Sequence, residues 1–172
     1  DEPMIRTVHE LAFGPSEGPE IADLTHALLH DPTAEPVTSL LACAGVNVIG
    51  HVLFSGVRIQ SSGESPKAHI LAPLAVVPER QGRGTGTRLV QRGLELLGES
   101  GSELVFVLGH PGYYPRFGFT PAGRHGLSAP YPIPEEHADA WMVLELKPGA
   151  VTKTEGTVLC ADALSKREHW VG

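Results

Sequence analysis

The stretch that decides the fold reads Leu74-Ala75-Val76-Val77-Pro78-Glu79-Arg80-Gln81-Gly82-Arg83-Gly84-Thr85-Gly86. Its apolar start predicts a buried strand, and the residues that follow predict a tight turn opening into an amphipathic helix. The glycines at alternate positions, Gly82, Gly84 and Gly86, let the backbone approach a ligand closely and point its N–H groups outward. Because the free donors and the dipole of a helix N-terminus both favour an anion, this stretch predicts a phosphate-binding site.

The glycine spacing excludes two common phosphate loops. A P-loop needs Gly-Lys-Ser/Thr at its end, and this turn ends in Thr85-Gly86-Thr87-Arg88. The dinucleotide fingerprint Gly-x-Gly-x-x-Gly also fails, because its third glycine falls on Thr87 or Leu89, depending on the starting glycine. Two interpretations of Gln81-Gly82-Arg83-Gly84-Thr85-Gly86 remain: a loop for another phosphate ligand, or a glycine-rich turn that binds nothing.

A second informative segment, residues 103–119, reads Glu-Leu-Val-Phe-Val-Leu-Gly-His-Pro-Gly-Tyr-Tyr-Pro-Arg-Phe-Gly-Phe. Leu104–Leu108 is a continuous apolar run, which is typical of a strand buried on both faces. Gly109 and Pro111 end that strand, and the residues from Tyr113 to Phe119 predict a short turn or helix.

Together these motifs resemble the GNAT N-acetyltransferases. The Gln81–Gly86 pattern, directly after a Leu-x-Val strand, resembles the acyl-CoA pyrophosphate loop of that family. In combination with Gly-His-Pro-x-Tyr-Tyr-Pro-Arg-Phe-Gly-Phe it looks like the YhbS-type branch of predicted N-acetyltransferases, over roughly residues 37–160. The resemblance implies an α/β (α+β type) chain with the GNAT fold, in which helices flank a central, mixed, splayed β-sheet of about six to seven strands.

The resemblance also implies an activity and a catalytic residue. The activity is an acetyl-CoA-dependent N-acetyltransferase that moves an acetyl group to a primary amine by direct attack. In the family, a tyrosine four residues before a Gly-Phe pair protonates the leaving thiolate. Here that residue is Tyr114, before Gly118-Phe119, and Tyr113 is the less favoured choice by register. A phenol is protonated at neutral pH, as this role requires. The alternative is that Tyr114 packs under the loop without a catalytic role.

The cofactor contacts implied by the resemblance lie on the strand and the loop. Arg80 and Arg83 flank the loop, and each is either a phosphate ligand or a solvated surface charge. The residues expected to bind acetyl-CoA are Leu74, Ala75, Val76, Gln81, Gly82, Arg83, Gly84, Thr85, Gly86 and Thr87.

Pro73 lies inside the predicted central strand, where it cannot donate a ladder hydrogen bond. A proline there predicts a bulge, or a place where neighbouring strands splay apart. In the GNAT fold the pantetheine arm inserts between two splayed parallel strands. The resemblance therefore implies that Leu74, Ala75 and Val76 offer backbone groups to that arm; a bulge without a ligand is the alternative.

The general base is not identified by the sequence. Other family members place Glu or His on the central strand, and the matching positions here are Ile70 and Ala72, neither of which titrates. His69 is adjacent, but strand alternation turns it to the other face unless a bulge corrects the register. His51 and His110 are further candidates, and a water chain or an already neutral amine needs no base. A non-catalytic acyl-CoA-binding module that has lost turnover is therefore the alternative function.

The composition fits a single domain spanning residues 1–172, long enough to bury a core. The net charge of −7 and the lack of a basic stripe argue against nucleic acid as a partner. Cys43 and Cys160 are too few for a disulfide framework, and we interpret both as reduced, buried thiols. The nine histidines show no His-Glu-x-x-His spacing, and Cys-x-x-Cys is absent, so no metal is assigned.

The longest uncharged run, Val37–Phe54, is not expected to cross a membrane. Gly45, Asn47 and Gly50 break it into a hairpin. With no visible signal peptide, the chain is expected to be cytoplasmic and without membrane contact.

Periodicity and turn residues predict the remaining elements. They are a strand Met4–Val8, a helix Glu20–His30, a hairpin of Thr38–Ala44 and Val48–Ile59, an exposed turn at 61–66, a central strand His69–Val77, a helix Thr87–Leu97, strands Leu104–Leu108, Met142–Leu146 and Thr157–Cys160, and an irregular loop Ala129–Pro134.

The N-terminus departs from the family pattern. Asp1-Glu2-Pro3, ahead of Met4, are interpreted as an addition to the natural start. Between Met4 and Gly14 there is room for little more than one short element, whereas the family has a strand and two helices before the hairpin. The acceptor pocket is therefore expected to be more open than usual, or to be completed by a second subunit in a homodimer.

Overall fold

The computed structural model describes residues 2–61, 63 and 65–170. Its strands are β1 Thr38–Ala44, β2 Asn47–Gln60, β3 Ala68–Val76, β4 Leu104–Leu108, β5 Thr120–Pro121, β6 Leu127–Ser128, β7 Trp141–Glu145 and β8 Gly156–Leu159. Its helices are α1 Glu2–Leu29, α2 Thr85–Glu99 and α3 Ala150–Lys153, with short 3-10 turns between elements. Within the described ranges the strands form one mixed sheet, in the order β5-β7-β4-β3-β2-β8-β6, with β1 paired to β2. The predicted fold class is confirmed, and the two-residue strands β5 and β6 add to the predicted strands.

The sheet separates the two larger apolar cores of the described residues. Consecutive residues of β2 point to opposite faces, so Leu53 joins one core and Phe54 the other. Leu53 packs in the core that contains Phe106 of β4, on the side of α1, and Phe54 packs in the core that contains Val90 of α2. Because both faces of the central strands are covered, those strands read as nearly continuous apolar runs.

β3 and β4 separate towards their C-terminal ends. They are parallel and paired only as far as Leu71 and Val107. On its other edge β3 pairs with β2, where Val52 lies opposite Leu74 and Phe54 lies opposite Leu71. Two residues along β2 therefore correspond to three residues along β3. β3 therefore carries an extra residue in the segment that contains Pro73, and the predicted bulge is confirmed. Past Leu71, the edge of β3 that faces β4 has no strand partner in the described part of the chain.

α1 is a helical hairpin. Gly14, with φ 79° and ψ 179°, reverses the chain direction within it. A side chain at Gly18 would overlap the backbone of Glu10, so the two arms touch there. Farther from the reversal, Arg6 Nη2 and Asp23 Oδ1 form an ion pair of 2.7 Å. Residues at similar distances on either side of Gly14 thus face each other, and the arms run antiparallel.

This hairpin corrects two expectations about the N-terminus. The predicted strand Met4–Val8 is wrong, because Ile5, Val8 and His9 are buried at helical spacing in the first arm. One element does lie between Met4 and Gly14, as predicted, but it is a helical arm and not a strand, so two helical arms precede the β1–β2 hairpin. The expected open acceptor pocket depended on missing helices, and both helices are present. Glu2, interpreted as part of an addition, belongs to the first arm.

Most other predicted elements are confirmed, with shifts at their ends. The helix Glu20–His30 corresponds to the second arm of α1, and α2 begins at Thr85, two residues earlier than predicted. Ser62 and Glu64 of the predicted turn lie outside the described residues. No helix in the described ranges is both long and apolar enough to cross a membrane.

The two cysteines differ in their surroundings. Cys43 is exposed, so the expectation that it is buried is wrong. It lies on β1, which among the described strands pairs with β2 alone, and it is not a member of the buried apolar clusters. Cys160 is half-buried, and burial raises the pKa of its thiol to about 12.

Replacement of Gly93 by alanine is expected to destabilise the fold. A methyl group at this position would overlap the ring of Phe54, which is fully buried beneath α2. We expect a loss of about 1–3 kcal/mol in the free energy of unfolding, measured by urea denaturation. Gly98→Ala, in the same helix but with open space around it, is the matched control and should gain about 0.5–1 kcal/mol from helix propensity. Equal stability of the two variants would show that α2 does not pack closely on Phe54.

Candidate active site

A cavity of about 360 Å³ lies where β3, the glycine-rich loop and the turn after β4 meet. We call it the phosphate-loop pocket. Its lining consists of Leu74, Val76, Arg80, Gln81, Gly82, Gly84, Thr85, Gly86, Thr87, Tyr113 and Arg116. The pocket therefore collects most of the residues that the sequence predicts to bind a phosphate ligand.

The loop directs backbone donors into the pocket. Gly84 is the N-cap of α2 and has φ 83°, a left-handed conformation that favours glycine. The hydrogen bond from the Arg88 amide to the Gly84 carbonyl, 3.0 Å long, begins the helical ladder. The N–H groups of Thr85, Gly86 and Thr87 precede that bond and have no partner within the helix. They form the donor-rich, positive end of the helix dipole, which suits an anion.

Tyr113 and Arg116 form the wall opposite the loop. Tyr113 Oη lies 3.2 Å from Thr87 Oγ1, and a side chain at Gly86 would approach the same phenol oxygen. The Arg116 guanidinium lies 4.2 Å from the centre of the Tyr113 ring, and its Nε donates to the Tyr113 carbonyl at 2.7 Å. The stacked, hydrogen-bonded arginine places a positive charge at the pocket.

Tyr113 and Arg116 are not among the residues that the sequence predicts for the cofactor site. The two residues are three positions apart at a 3-10 turn, a spacing that places their side chains together. That spacing is the sequence feature that could have predicted their common position. Arg80, for which the sequence allows either a phosphate ligand or a solvated surface charge, also lines the pocket.

Two of the predicted cofactor residues, Ala75 and Arg83, do not line the pocket. Ala75 is 3% exposed and packs against Val8 of α1, because strand alternation turns it away from the pocket. Arg83 is exposed and is not part of the pocket lining. The Val76 carbonyl accepts a hydrogen bond of 2.9 Å from Gln81 Nε2, which ties the loop to the strand.

Tyr114 lies next to the pocket wall but inside the core. It packs in the cluster that contains Leu71 and Val107, the last paired residues of β3 and β4. Its ring covers Gly109, where any side chain would overlap it. Burial raises the pKa of the Tyr114 phenol well above its usual range, and the neighbouring Tyr113 adds to the effect. Tyr114 is thus a neutral phenol at the base of the splay between the two strands.

The three candidate bases have different environments. His51 Nδ1 lies 2.9 Å from His9 Nε2, His51 Nε2 lies 2.7 Å from Ser39 Oγ, and burial lowers the pKa of His51 to about 4. His69 is also buried, with a pKa of about 4. Neither ring lines the phosphate-loop pocket. The third candidate, His110, is exposed at the end of β4, where its carbonyl accepts the amides of both tyrosines of the turn.

The mixed, splayed sheet and the donor-rich loop at the start of α2 define an acetyltransferase of the GNAT class. The Acetyltransferase (GNAT) domain model matches residues 1–122. The chain belongs to the GNAT acetyltransferase family.

Individual relatives agree with this assignment. The uncharacterized N-acetyltransferase YjhQ of Escherichia coli K12 is 49% identical over 163 residues, which cover 94% of this chain and 88% of YjhQ. The crystal structure of E. coli YhbS in complex with CoA is 33% identical and superposes with a TM-score of 0.85, over 96% of this chain and 87% of that one. A GNAT family acetyltransferase from Brucella melitensis in complex with acetyl-CoA is 30% identical, with a TM-score of 0.74 over 95% and 92% of the two chains. The predicted resemblance to the YhbS-type branch is confirmed.

Proposed function

We propose that the protein transfers the acetyl group of acetyl-CoA to a primary amine by direct attack. The observation that carries the proposal is the position of the phosphate-loop pocket. It lies beside the point where β3 and β4 part, beyond Leu71 and Val107. A ligand with a pyrophosphate at one end and a long amide-containing arm fits that arrangement, and acetyl-CoA has both features.

The pyrophosphate is proposed to bind the amides of residues 85–87. Charge-assisted hydrogen bonds of this type are roughly twice as strong as neutral ones, and Arg80 and Arg116 supply positive charge at the same pocket. The pantetheine arm is proposed to run along Leu74 and Val76, where the edge of β3 facing β4 has backbone groups free of strand pairing. Specificity for the arm would then come from backbone hydrogen bonds and shape.

The chemistry requires a neutral amine, a donor to the carbonyl oxygen and a proton for the departing thiolate. A backbone N–H near Leu74 is proposed to polarise the thioester carbonyl. Tyr114 is proposed to donate its hydrogen bond, and then its proton, to the sulfur. Its burial beside the splay keeps the phenol protonated and close to the proposed position of the thioester. His110 or a water molecule is proposed to take the proton of the amine.

Tyr114→Phe tests the proposed acid. We expect kcat to fall between about tenfold and a hundredfold while the Kd for acetyl-CoA stays unchanged, because the variant loses a proton donor and keeps its packing. Tyr113→Phe is the matched control. It removes the hydroxyl beside Thr87 and should weaken acetyl-CoA binding a few-fold, with little effect on kcat. Thiol release and calorimetry separate the two effects, and full turnover in Tyr114→Phe would contradict the proposed role.

The substrate class is tested by thiol release against amines, amino acids and peptides. Release with one class of amine would support the transferase and define its acceptor. Binding of acetyl-CoA without release on any acceptor would favour the alternative, a non-catalytic acyl-CoA-binding module. Failure to bind acetyl-CoA would contradict both functions.

A further inference from the structure

A cluster of two histidines and one carboxylate lies at the open end of the α1 hairpin. His26 and His30 are one helical turn apart on the second arm, and their ring centres are 4.6 Å apart. Glu2, on the first arm, has Oε2 at 2.8 Å from His26 Nδ1 and Oε1 at 2.5 Å from His30 Nε2. One ligand atom from each residue lies within 4.8 Å of the other two. We call these three residues the hairpin cluster.

We propose that the hairpin cluster binds a divalent transition-metal ion, with zinc as the preferred ion. Two imidazole nitrogens and one carboxylate oxygen are established zinc ligands, and three protein ligands leave a fourth position for water. Copper and nickel accept the same donors, whereas magnesium and calcium prefer oxygen ligands alone. The cluster is separate from the phosphate-loop pocket and has no part in the proposed acetyl transfer.

The geometry requires only a small adjustment. Donor atoms about 2.0–2.1 Å from a tetrahedral zinc ion are about 3.3 Å from one another. Glu2 contacts the two histidines through different oxygens, at distances shorter than this by less than about 1 Å, and one ligand atom from each of the three residues lies within 4.8 Å of the others. All three side chains are substantially exposed, between 41% and 59%, so they can rotate without disturbing the core. The i, i+4 spacing of His26 and His30 already places their rings on one face of the helix.

Arg6 is the one cation among the described residues that line the adjoining cavity, and its charge is paired. Arg6, one turn along the first arm from Glu2, forms a 2.7 Å ion pair with Asp23, which offsets its positive charge. A cavity of about 250 Å³ between the arms is lined by Glu2 and His26 together with apolar residues such as Ile5 and Leu29. The approach to the metal position is therefore open to water.

A bound ion would cross-link the two arms of α1. Glu2 is 24 residues from His26 in the sequence, and the hairpin alone brings them together. Val8 of the first arm packs against Ala75 of β3. The bound ion would therefore stabilise a helical arm that contacts the strand of the proposed cofactor site. Because an ion that binds only the folded state stabilises that state, zinc should raise the Tm.

The test is a zinc titration of the metal-free full chain, followed by calorimetry and thermal unfolding. We expect one zinc ion per chain and a Tm increase of about 5 °C or more at a hundredfold excess over Kd. His30→Gln should weaken zinc binding at least tenfold and remove most of the Tm increase, and Glu2→Gln, which keeps both imidazoles, should have a smaller effect in the same direction. His137→Gln, at an exposed histidine outside the cluster, should bind zinc as the unaltered protein does.

Two results would overturn the proposal. The first is the absence of zinc binding or of any Tm increase, which would leave the cluster as an ion pair between two helices. The second is binding that His30→Gln does not weaken, which would place the ion elsewhere. Neither result bears on acetyl-CoA binding, so the proposed function and the metal site can fail independently.

Discussion

Gly84→Glu is expected to abolish acetyl-CoA binding, with a loss in affinity of about a thousandfold or more. Two physical effects act together at this position. Gly84 has φ 83°, a conformation that costs a residue with a side chain about 1–2 kcal/mol. A glutamate at the N-cap also brings its own carboxylate to the amides of residues 85–87, where it competes with the pyrophosphate and repels it. A thousandfold loss corresponds to about 4 kcal/mol.

The matched control for this prediction is Gly98→Glu. It introduces the same charge into the same helix, but Gly98 has open space around it and lies in the last turn, away from the pocket. Calorimetry with acetyl-CoA should give near wild-type affinity for the control and no measurable binding for Gly84→Glu. If Gly84→Glu binds with wild-type affinity while remaining folded, the phosphates bind elsewhere and the assignment of the loop fails.

The features that follow from local sequence were predictable. Gly82 and Gly84 have positive φ, as their positions in a tight turn require. Leu104–Leu108 is a strand with the predicted bounds, because a buried parallel strand shows itself as an unbroken apolar run. Pro73 marks the bulge because a residue without an N–H cannot continue the ladder.

The features that depend on tertiary contacts were not predictable in the same way. The segment Met4–Val8 is rich in residues that suit a strand, and it becomes helical because tertiary contacts bury one helical face, with Ile5 and Val8 inside and Val8 packed against Ala75 of β3. A pattern in a single sequence reports the helix or strand propensity of a segment, and it does not report which elements pack against that segment. The hairpin cluster was missed for the same reason, since Glu2 joins His26 only through the reversal at Gly14.

The candidate site also combines features that local sequence predicts with features that depend on tertiary contacts. The loop residues could be assigned from glycine spacing, whereas the side to which each residue of β3 points depends on the bulge at Pro73. That is why Leu74 and Val76 line the pocket while Ala75 faces α1. The two adjacent tyrosines have separate positions, with Tyr113 on the pocket and Tyr114 in the core, because neighbouring residues of a 3-10 turn point in different directions.

Acidification from pH 7.5 to pH 5 is expected to remove several kcal/mol of folding stability. Burial lowers the pKa of His9 to about 3 and the pKa values of His51 and His69 to about 4, against 6.5 for an ordinary histidine. The charge of Lys67 lowers the pKa of His69 further, and repulsion between His9 and His51 adds to the effect on His9. All three rings are at most 1% exposed.

The direction of the pH effect follows from proton binding. Below pH 6.5 the unfolded chain binds protons at these three histidines, whereas the folded chain leaves them neutral until the pH approaches 4. Their contribution to stability is therefore complete above pH 6.5 and is lost as the pH falls towards the folded pKa values. At pH 5 each histidine with an unfolded pKa near 6.5 costs about 2 kcal/mol. The three together give an upper limit of about 6 kcal/mol.

The hydrogen bonds around His9 explain why the folded chain resists protonation. In the hydrogen-bonded chain His9–His51–Ser39, the contact between His9 Nε2 and His51 Nδ1 needs one donor and one acceptor, so the two rings cannot both be protonated without breaking it. His9 Nδ1 is buried and has no hydrogen-bond partner among the described residues. A proton added there would carry a charge into the space between α1 and the sheet without a group to solvate it.

Urea denaturation at pH 7.5, 6.0 and 5.0 measures this dependence. We expect the free energy of unfolding to fall steadily over the series, and His69→Asn, which removes one titrating ring at a site where Ser102 is the polar neighbour, should flatten the dependence by about a third. His137→Asn, at an exposed position, should leave the slope unchanged. Constant stability between pH 7.5 and pH 5 would mean that the three rings take up protons equally in the folded and unfolded chains, and the buried neutral network between α1 and the sheet would then be wrong.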